Sequence, residues 1–385
     1  MVGAGRGAPV GCAGDGTEPG SGSGADGRKK GVDSAPCSCG GHPHFKRWTQ
    51  RTQVSIVGDI RLRRRYYWCA TCRMGQSESD EQAGLDVGKF STGMRQLMAL
   101  CGMSTSFGEA AVMLKRLAGV TCSKSAVRKV SLQEGGRVGR EREGARRQWD
   151  WQGDGRLYVS ADGVQVPLVE GWQEMKVGAF YDSRKTQHHA VAGFEGAEQF
   201  MPRLRREAIG MEAGKAKEIV LIGDGAKWIW KRGGQQLPMA VQILDFYHAS
   251  EQIGACAYEL YEEGSGQGKA WWKRWRDSLY ERGAGWVSAA LGGVEKRFKK
   301  KRKVAAVRKL REYLSRNASR ADYPKLLEKG YDIGSGPVES TCKRLVTTRL
   351  KISGARWRKN NSLAIATLRA CFFSDEWDTC FKAAA

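Results

Sequence analysis

Short runs of apolar positions, continuous or alternating with polar ones, predict the strands of this chain. Thr52–Ile56 and Ile60–Tyr67 form one pair, separated by a Val-Gly-Asp turn that favours a hairpin. Five further runs follow along the chain: Leu157–Ala161, Met175–Tyr181, His189–Phe194, Ile219–Ile222 and Val241–Leu244. With a helical pattern at about 197–213, between the third and fourth of these runs, the series is typical of an α/β domain.

Helical periodicity dominates the segment before this domain. Phe107–Leu117 is amphipathic, a glycine-containing turn interrupts it, and Thr121 or Ser123 can cap a second helix running to about Gly135. This is the helix-turn-helix pattern, in which the second helix enters the DNA major groove. An ordinary helical hairpin packed in a core would show the same short pattern. Under the DNA-binding interpretation, the second helix presents three basic side chains to DNA: Lys124, Arg128 and Lys129.

Composition divides the chain into successive regions. Residues 1–36 contain eleven glycines and no aromatic residue, so we expect a disordered tail. Beyond it we expect a cysteine-containing module (37–75), a helical module with its linker (90–147), and the α/β domain (155–375) with a helical insertion at about 249–330. The longest apolar stretch, Leu363–Phe373, is interrupted by Arg369 and is shorter than the roughly 18 residues of a membrane span. A Gly-rich N-terminus also lacks the apolar core of a secretory leader, so we expect neither a membrane protein nor a secreted one.

The charge balance indicates the partner. There are 64 Lys and Arg against 41 Asp and Glu, a net charge of +23 that exceeds what solubility requires. Nucleic acid is the commonest partner of so basic a chain. Outside the helical module, the candidate DNA contacts are Lys299, Lys300 and Lys301 in the insertion, and Lys343, Arg344, Arg349 and Lys351 in a last helix that begins near Pro337. For the three insertion lysines, the alternative is a solvated helix face.

Four of the eleven cysteines are organised as two close pairs. Cys37 and Cys39 form the first pair, Cys69 and Cys72 the second, and the predicted hairpin between them would bring the pairs together. Four thiolates in a tetrahedron suit a structural zinc ion, so the pattern predicts a zinc ribbon. One of two nearby histidines, His42 or His44, could replace a cysteine ligand. The alternative is four unrelated buried thiols.

Three acidic residues occupy positions that could form a catalytic centre. Asp162 follows the strand that ends at Ala161, Asp224 follows the strand that ends at Gly223, and Glu339 lies in the first turn of the last helix. If the two strands are adjacent and parallel, both aspartates lie at the sheet edge where α/β proteins place active sites. Converging carboxylates require a cation, and Mg²⁺ or Mn²⁺ suits hard oxygen ligands. Taken singly, the aspartates are also ordinary turn residues and the glutamate could complement a helix dipole.

Several sequence blocks coincide with these residues. They are Ser160–Gly163, Gly223–Trp228, Gly334–Lys343, Arg349–Lys351, Gly354–Trp357 and, around the second cysteine pair, Arg63–Cys72. Over residues 37–374, these blocks together resemble bacterial insertion-sequence transposases of the ISKra type. The resemblance implies an RNase H-like catalytic domain whose DDE triad, Asp162, Asp224 and Glu339, holds the metal ions. The spacings of 62 and 115 residues leave room for the inserted helical subdomain.

A fourth element follows the fifth strand. The tetrapeptide Asp245–His248 resembles the Asp/Cys-x-x-His element found after the second acid in several transposase superfamilies. On this reading Asp245 and His248 are auxiliary residues near a scissile phosphate. The alternative for His248 is a structural histidine at a strand–helix junction.

The sequence thus predicts a multidomain DDE transposase. Two Mg²⁺ or Mn²⁺ ions and a structural Zn²⁺ would be its cofactors, and terminal inverted repeats and target DNA its double-stranded partners. Joining two transposon ends implies a homo-oligomer on DNA, in the bacterial cytoplasm at the nucleoid. Two alternatives stay open: a non-catalytic DNA-binding regulator, and an RNase H-like host nuclease or resolvase.

Overall fold

The computed structural model describes residues 37–77, 88–151 and 155–382. The Gly-rich tail predicted over 1–36 lies outside the described residues. None of the helices in the described part of the chain is long and apolar enough to cross a membrane.

A three-stranded sheet follows the first cysteine pair. Its strands, in the spatial order β1-β2-β3, are β1 (His44–Ser55), β2 (Gly58–Cys69) and β3 (Met74–Gln76). The predicted hairpin is therefore confirmed, with longer strands on both sides of the turn. The chain divides into two compact units, and this sheet contributes residues to both. The described residues of the first unit are 37–49 and 63–77; all other described residues belong to the second unit.

A three-helix module opens the larger part of the second unit. It contains α1 (Thr92–Ser104), α2 (Phe107–Ala118) and α3 (Lys124–Arg142). The side chain of Ser123 caps α3, and Gly119, at a φ of +67°, ends α2 in the left-handed conformation that favours glycine. Met98, Leu114 and Val127 bring all three helices into one small core. The predicted pair of helices joined by a glycine turn is present.

Helix α3 is longer than its sequence predicts. It passes through Gly135 and ends at Arg142. A Cβ on Gly135 would lie 2.4 Å from the carbonyl oxygen of Ala364, so this glycine permits close contact with a later helix rather than ending its own. The packing of the two helices therefore overrides a residue that usually weakens helices.

A five-stranded mixed sheet forms the centre of the second unit. Its strands are β4 (Arg156–Leu168), β5 (Gly171–Asp182), β6 (His188–Gly193), β7 (Glu218–Gly223) and β8 (Val241–Leu244). The spatial order is β6-β5-β4-β7-β8; β5 pairs antiparallel with both β6 and β4, whereas β7 pairs parallel with both β4 and β8. Helices α4 (Ala197–Gly210) and α5 (Lys227–Gln236) lie between the last three strands in sequence.

Helices cover both faces of this sheet. Four lie in the predicted insertion: α6 (Phe246–Leu260), α7 (Gly266–Glu295), α8 (Lys301–Arg316) and α9 (Tyr323–Glu328). At the end of the chain are α10 (Gly336–Cys342), a π-helical turn (Lys343–Thr347), a short α-helical turn (Thr348–Leu350), α11 (Lys359–Phe373) and α12 (Trp377–Phe381). Phe200 and Ile229 belong to the core on one face, and Val338 and Leu368 to the core on the other. The predicted α/β class is confirmed.

Candidate functional site

The four thiols of the cysteine module come together. The Sγ atoms of Cys37 and Cys72 are 3.5 Å apart, those of Cys39 and Cys69 are 3.6 Å apart, and all four lie within 4.8 Å of one another. A tetrahedral zinc ion with Zn–S bonds of about 2.3 Å requires sulfur atoms at comparable separations. The group can therefore bind zinc. It needs neither His42 nor His44, because the four cysteines already supply a complete ligand set.

The backbone around the thiols is shaped for their close approach. A Cβ on Gly41 would lie 2.8 Å from the Sγ of Cys69 and 2.7 Å from the hydroxyl of Thr71, so only glycine fits between the pairs. The backbone N–H of Cys72 stabilises the Cys69 thiolate and lowers the pKa of Cys69 to about 6. The neighbouring Cys37 side chain raises the pKa of Cys72 to about 12. Four thiols held this closely favour the binding of a metal cation that all of them coordinate as thiolates.

The two aspartates lie side by side: Asp162 is on β4, and Asp224 directly follows the adjacent strand β7. The parallel ladder between β4 and β7 ends at the pair Ser160 and Ile222, and Asp162 and Asp224 each lie two residues beyond it. Strand β4 itself continues to Leu168 along β5, so the expectation that Asp162 ends its strand is wrong. Burial raises the pKa of Asp162, and the negative charge of Asp224 raises it further. A cation between the carboxylates would relieve this repulsion.

Helix α10 brings the third acid to the same region. The Sγ of Cys342 lies 3.6 Å from Oδ2 of Asp162, which fixes the inner end of the helix against β4. Glu339 precedes this cysteine by three residues, and residues at that spacing share a helix face. The charge of Glu339 also contributes to raising the pKa of the Cys342 thiol, after burial and Asp162. Glu339 is solvent-exposed, with its carboxylate open to a ligand.

Within the described residues, the three carboxylates do not form a compact group like the thiols. The four-cysteine cluster alone has three or more potential ligand atoms within 4.8 Å of one another in that part of the chain. The structure thus places Asp162 and Asp224 side by side, and Glu339 lies one helical turn from Cys342, which contacts Asp162. The assignment of all three as metal ligands stays a prediction.

Asp245 holds the chain segment that precedes α10. It is 2 % exposed, and its Oδ1 accepts a hydrogen bond of 2.8 Å from the backbone N–H of His248 at the start of α6. Its Oδ2 accepts a second hydrogen bond from the backbone N–H of Ser335, which directly precedes α10. Asp245 therefore acts as a positioning residue for the helix that carries Glu339. His248 is half-buried, and its Nδ1 lies 3.1 Å from Oε2 of Glu251.

Removing the Asp245 carboxylate should loosen this arrangement. Asp245→Ala leaves two backbone N–H groups without acceptors, so we expect a loss of about 2–4 kcal/mol in the free energy of unfolding. Asp245→Asn keeps one acceptor oxygen and should cost roughly half as much. Urea denaturation of both variants measures the difference. Equal stabilities of wild type and Asp245→Ala would contradict the positioning role.

Most of the predicted DNA contacts lie on the surface. The exposed ones are Lys124, Arg128, Lys129, Lys299, Lys300, Lys301, Lys343, Arg344 and Lys351. Arg349 differs, because it is 3 % exposed and its Nε donates to the carbonyl oxygen of Gly102 at 3.1 Å. Arg349 lies in the short turn Thr348–Leu350 and its side chain contacts α1, so it is absent from the open basic surface that the sequence suggested.

Two residues near the acids were missed at the level of sequence. Cys342 contacts Asp162, and the only sequence signal is its place one turn after Glu339 in the Gly334–Lys343 block. Tyr313 comes from α8, and its hydroxyl would lie 2.5 Å from a Cβ on Gly225. This contact explains the glycine after Asp224. No local pattern marks Tyr313, because its role arises from the packing of the insertion on the sheet.

Comparisons with known proteins place the chain in a family. The model of the Uncharacterised protein family (UPF0236) matches residues 42–377, and the chain belongs to this family. A search of curated proteins finds no match. Among solved structures, the Drosophila P element transposase strand transfer complex matches with 8% sequence identity and a TM-score of 0.30, over 78% of this chain and 83% of that chain.

Proposed function

We propose that this member of the UPF0236 family is a DDE transposase of the ISKra type with an RNase H-like catalytic domain. It would cleave phosphodiesters at the ends of its element and join the freed 3′-OH to target DNA. The observation that carries this proposal is the adjacency of Asp162 and Asp224 beyond the end of the parallel ladder, with α10, the helix of Glu339, held against Asp162 through Cys342. Two neighbouring carboxylates in a chain of net charge +23 favour metal-assisted chemistry on a polyanion.

The donor set fits divalent ions. Asp162 and Asp224 offer hard oxygen ligands, and Glu339 offers a third from an exposed helix face. Bound ions would activate the attacking oxygen and stabilise the leaving oxygen of an in-line displacement. Two ions about 3.5–4 Å apart need carboxylates that are farther from one another than the ligands of a single ion. The three acids are spaced more widely than the four thiols, as a two-ion site requires. Mg²⁺ and Mn²⁺ are the candidates.

The chain's own groups would fix the geometry of the reaction. The backbone N–H of Ala226 donates to Oδ1 of Asp224 at 3.0 Å, and the N–H of Gly163 donates to Oδ1 of Asp162 at 2.6 Å. These hydrogen bonds orient both carboxylates, and the one from Gly163 offsets part of the rise that burial causes in the pKa of Asp162. His248, half-exposed beside them, could contact the phosphate next to the cleaved bond. Burial raises the pKa of Asp162, and His248 is the smallest of the influences that oppose this rise.

DNA recognition is proposed for the three-helix module and the cysteine module. Helix α3 exposes Lys124 and Lys129 near its first turns, as expected for a recognition helix in the major groove. The zinc-binding module would contribute further contacts to the terminal inverted repeats. Synapsis of two ends would require a homo-oligomer.

The function is tested with DNA that flanks the gene. Terminal inverted repeats from both sides, prepared as labelled duplexes, should be nicked by the purified protein in the presence of Mg²⁺ and then joined to a plasmid target. A shuffled duplex of equal length is the control. Specific binding without cleavage would indicate the regulator instead, and cleavage without strand transfer would indicate a nuclease.

Two sets of basic residues should contribute differently to DNA binding. Replacing Lys124 and Lys129 by alanine should reduce the preference for end DNA over random DNA, because a recognition helix reads base edges. Replacing Lys299, Lys300 and Lys301 by glutamine should weaken binding to both DNAs alike and flatten the salt dependence of the affinity. Fluorescence anisotropy at several salt concentrations measures both effects. Equal losses of preference from the two sets would contradict the helix-turn-helix assignment.

A further inference from the structure

A cavity of about 470 Å³ lies between the three-helix module and the loop that precedes α11. Arginines dominate its polar lining: Arg128, Arg349, Arg356 and Arg358. Its remaining polar side chains belong to Ser106 and Asn361, and none of its lining residues is acidic. Four guanidinium groups around one space repel one another unless an anion lies between them.

Arg349 is built into this cavity. Its guanidinium lies 4.8 Å from the ring centre of Phe107 and 5.0 Å from that of Trp357, so two aromatic rings hold it in place. Its Nε is used by Gly102, whereas its Nη2 is buried and has no hydrogen-bond partner among the described residues. Burial lowers the pKa of Arg349 to about 10, the nearby Arg369 guanidinium lowers it further, and the Glu109 carboxylate offsets only part of this effect. An unpaired charged donor at this depth is costly unless a ligand completes it.

The loop Gly354–Trp357, one of the sequence blocks that the proposed reaction does not use, forms the opposite wall. The backbone N–H of Trp357 donates to the carbonyl oxygen of Pro167 at 3.1 Å, and its indole N–H donates to that of Leu350 at 3.0 Å. Gly354, at a φ of +75°, adopts the left-handed conformation that side chains disfavour. These contacts hold the loop in one conformation against the end of β4. They therefore fix the backbone positions from which the side chains of Arg356 and Arg358 extend.

We propose that this cavity is a binding site for a backbone phosphate of DNA. Its guanidinium groups can bind a phosphate through paired hydrogen bonds, as arginine commonly does. The N-terminal end of α11, where Arg358 and Asn361 lie, adds the partial positive charge of the helix dipole. Arg128 comes from α3, so DNA read by that helix would extend a phosphate into the cavity. The site would thereby fasten DNA held by the three-helix module to the domain that carries the acids. This inference rests on the proposed function only for the identity of the DNA, namely that it is the end of a transposon.

The first test separates binding from stability in the full-length protein. Arg356→Gln should weaken binding to a random duplex roughly tenfold and reduce the salt slope by about one phosphate contact. Arg349→Met removes the buried charge and its unpartnered Nη2 donor while keeping a long side chain between the two rings. It should weaken DNA binding similarly yet leave the melting temperature unchanged or raise it. Arg205→Gln, at an exposed position on α4 outside the cavity, is the matched control. A lower melting temperature with unchanged affinity for Arg349→Met would overturn the proposal.

The second test locates the phosphate. Single methylphosphonates are placed along the inverted-repeat duplex, and their effects on wild type and on Arg356→Gln are compared. At one position the neutral linkage should weaken wild-type binding but cost the variant nothing further, because both changes remove the same contact. Additive losses at every position would overturn the assignment to DNA. Inorganic phosphate that stabilises wild type but not Arg349→Met, with no coupled position, would assign the cavity to a free anion instead.

The two proposals fail separately. Random-duplex affinity and salt slope require no cleavage, so a wild-type protein that never cuts end DNA can still show both effects. That result would support the phosphate site and contradict the transposase proposal. Efficient cleavage without any coupled phosphate position would give the reverse result.

Discussion

Glu339→Gln is expected to reduce Mg²⁺-dependent cleavage of end DNA by several orders of magnitude. Glutamine keeps the size and the hydrogen-bonding capacity of the side chain but removes the charge that would hold an ion. Because Glu339 is exposed and Cys342 and Val338 fix its helix, the substitution should leave the fold and DNA binding nearly unchanged. Cleavage of a labelled duplex, a melting curve and a binding curve are measured together. Asp162→Asn and Asp224→Asn should behave alike.

The competing role for Glu339 is to complement the dipole of α10. In that case the same change costs about 0.3–1 kcal/mol of stability and leaves cleavage intact. Glu198→Gln is the matched control, because Glu198 also lies in the first turn of a helix, α4, and has no proposed chemistry. Loss of cleavage in Glu339→Gln but not in Glu198→Gln would separate the two roles. Normal cleavage by Glu339→Gln would move the third ligand elsewhere.

Local patterns in the sequence were sufficient for most of the secondary structure near the acids. The apolar run before Asp224 is a buried parallel strand, as four consecutive aliphatic residues predict. Strand β4 was predicted too short, because the polar residues Asp162 and Gln165 interrupt its apolar pattern while its antiparallel pairing with β5 continues. The hydrogen bonds of a hairpin do not depend on apolar side chains, so no local pattern indicated this extension.

The arrangement of helices around the site could not be predicted from local patterns. Gly135 resembles a helix end, yet it lies inside α3 because another helix packs against it. The π-helical turn after α10 has no sequence signature; it contains the exposed Lys343 and Arg344, and the buried Arg349 follows it. The second role of Asp245, as an acceptor for Ser335, links residues 90 positions apart. Such contacts follow from tertiary packing and are invisible to a periodicity argument.

Removal of zinc should unfold the cysteine module and leave the catalytic domain folded. The purified protein should contain about one zinc per chain, because four thiolates complete one tetrahedral site. Cys69→Ser removes a buried ligand at the centre of the cluster, and it should release the metal and expose residues 37–77 to hydrogen exchange. Structural zinc contributes about 10–16 kcal/mol of apparent binding free energy in zinc-finger peptides, more than so small a sheet can gain from its own packing.

A control thiol separates metal loss from a general effect of cysteine replacement. Cys122→Ser changes a partly exposed cysteine outside the cluster and should retain zinc and the protection of residues 37–77. Gly41→Ala is the sharper variant, because its added methyl would lie 2.8 Å from the Sγ of Cys69 without removing any ligand. It should weaken zinc binding by crowding the two cysteine pairs apart. A wild-type protein without zinc, or full protection of the module in Cys69→Ser, would show that the thiol cluster folds without a metal.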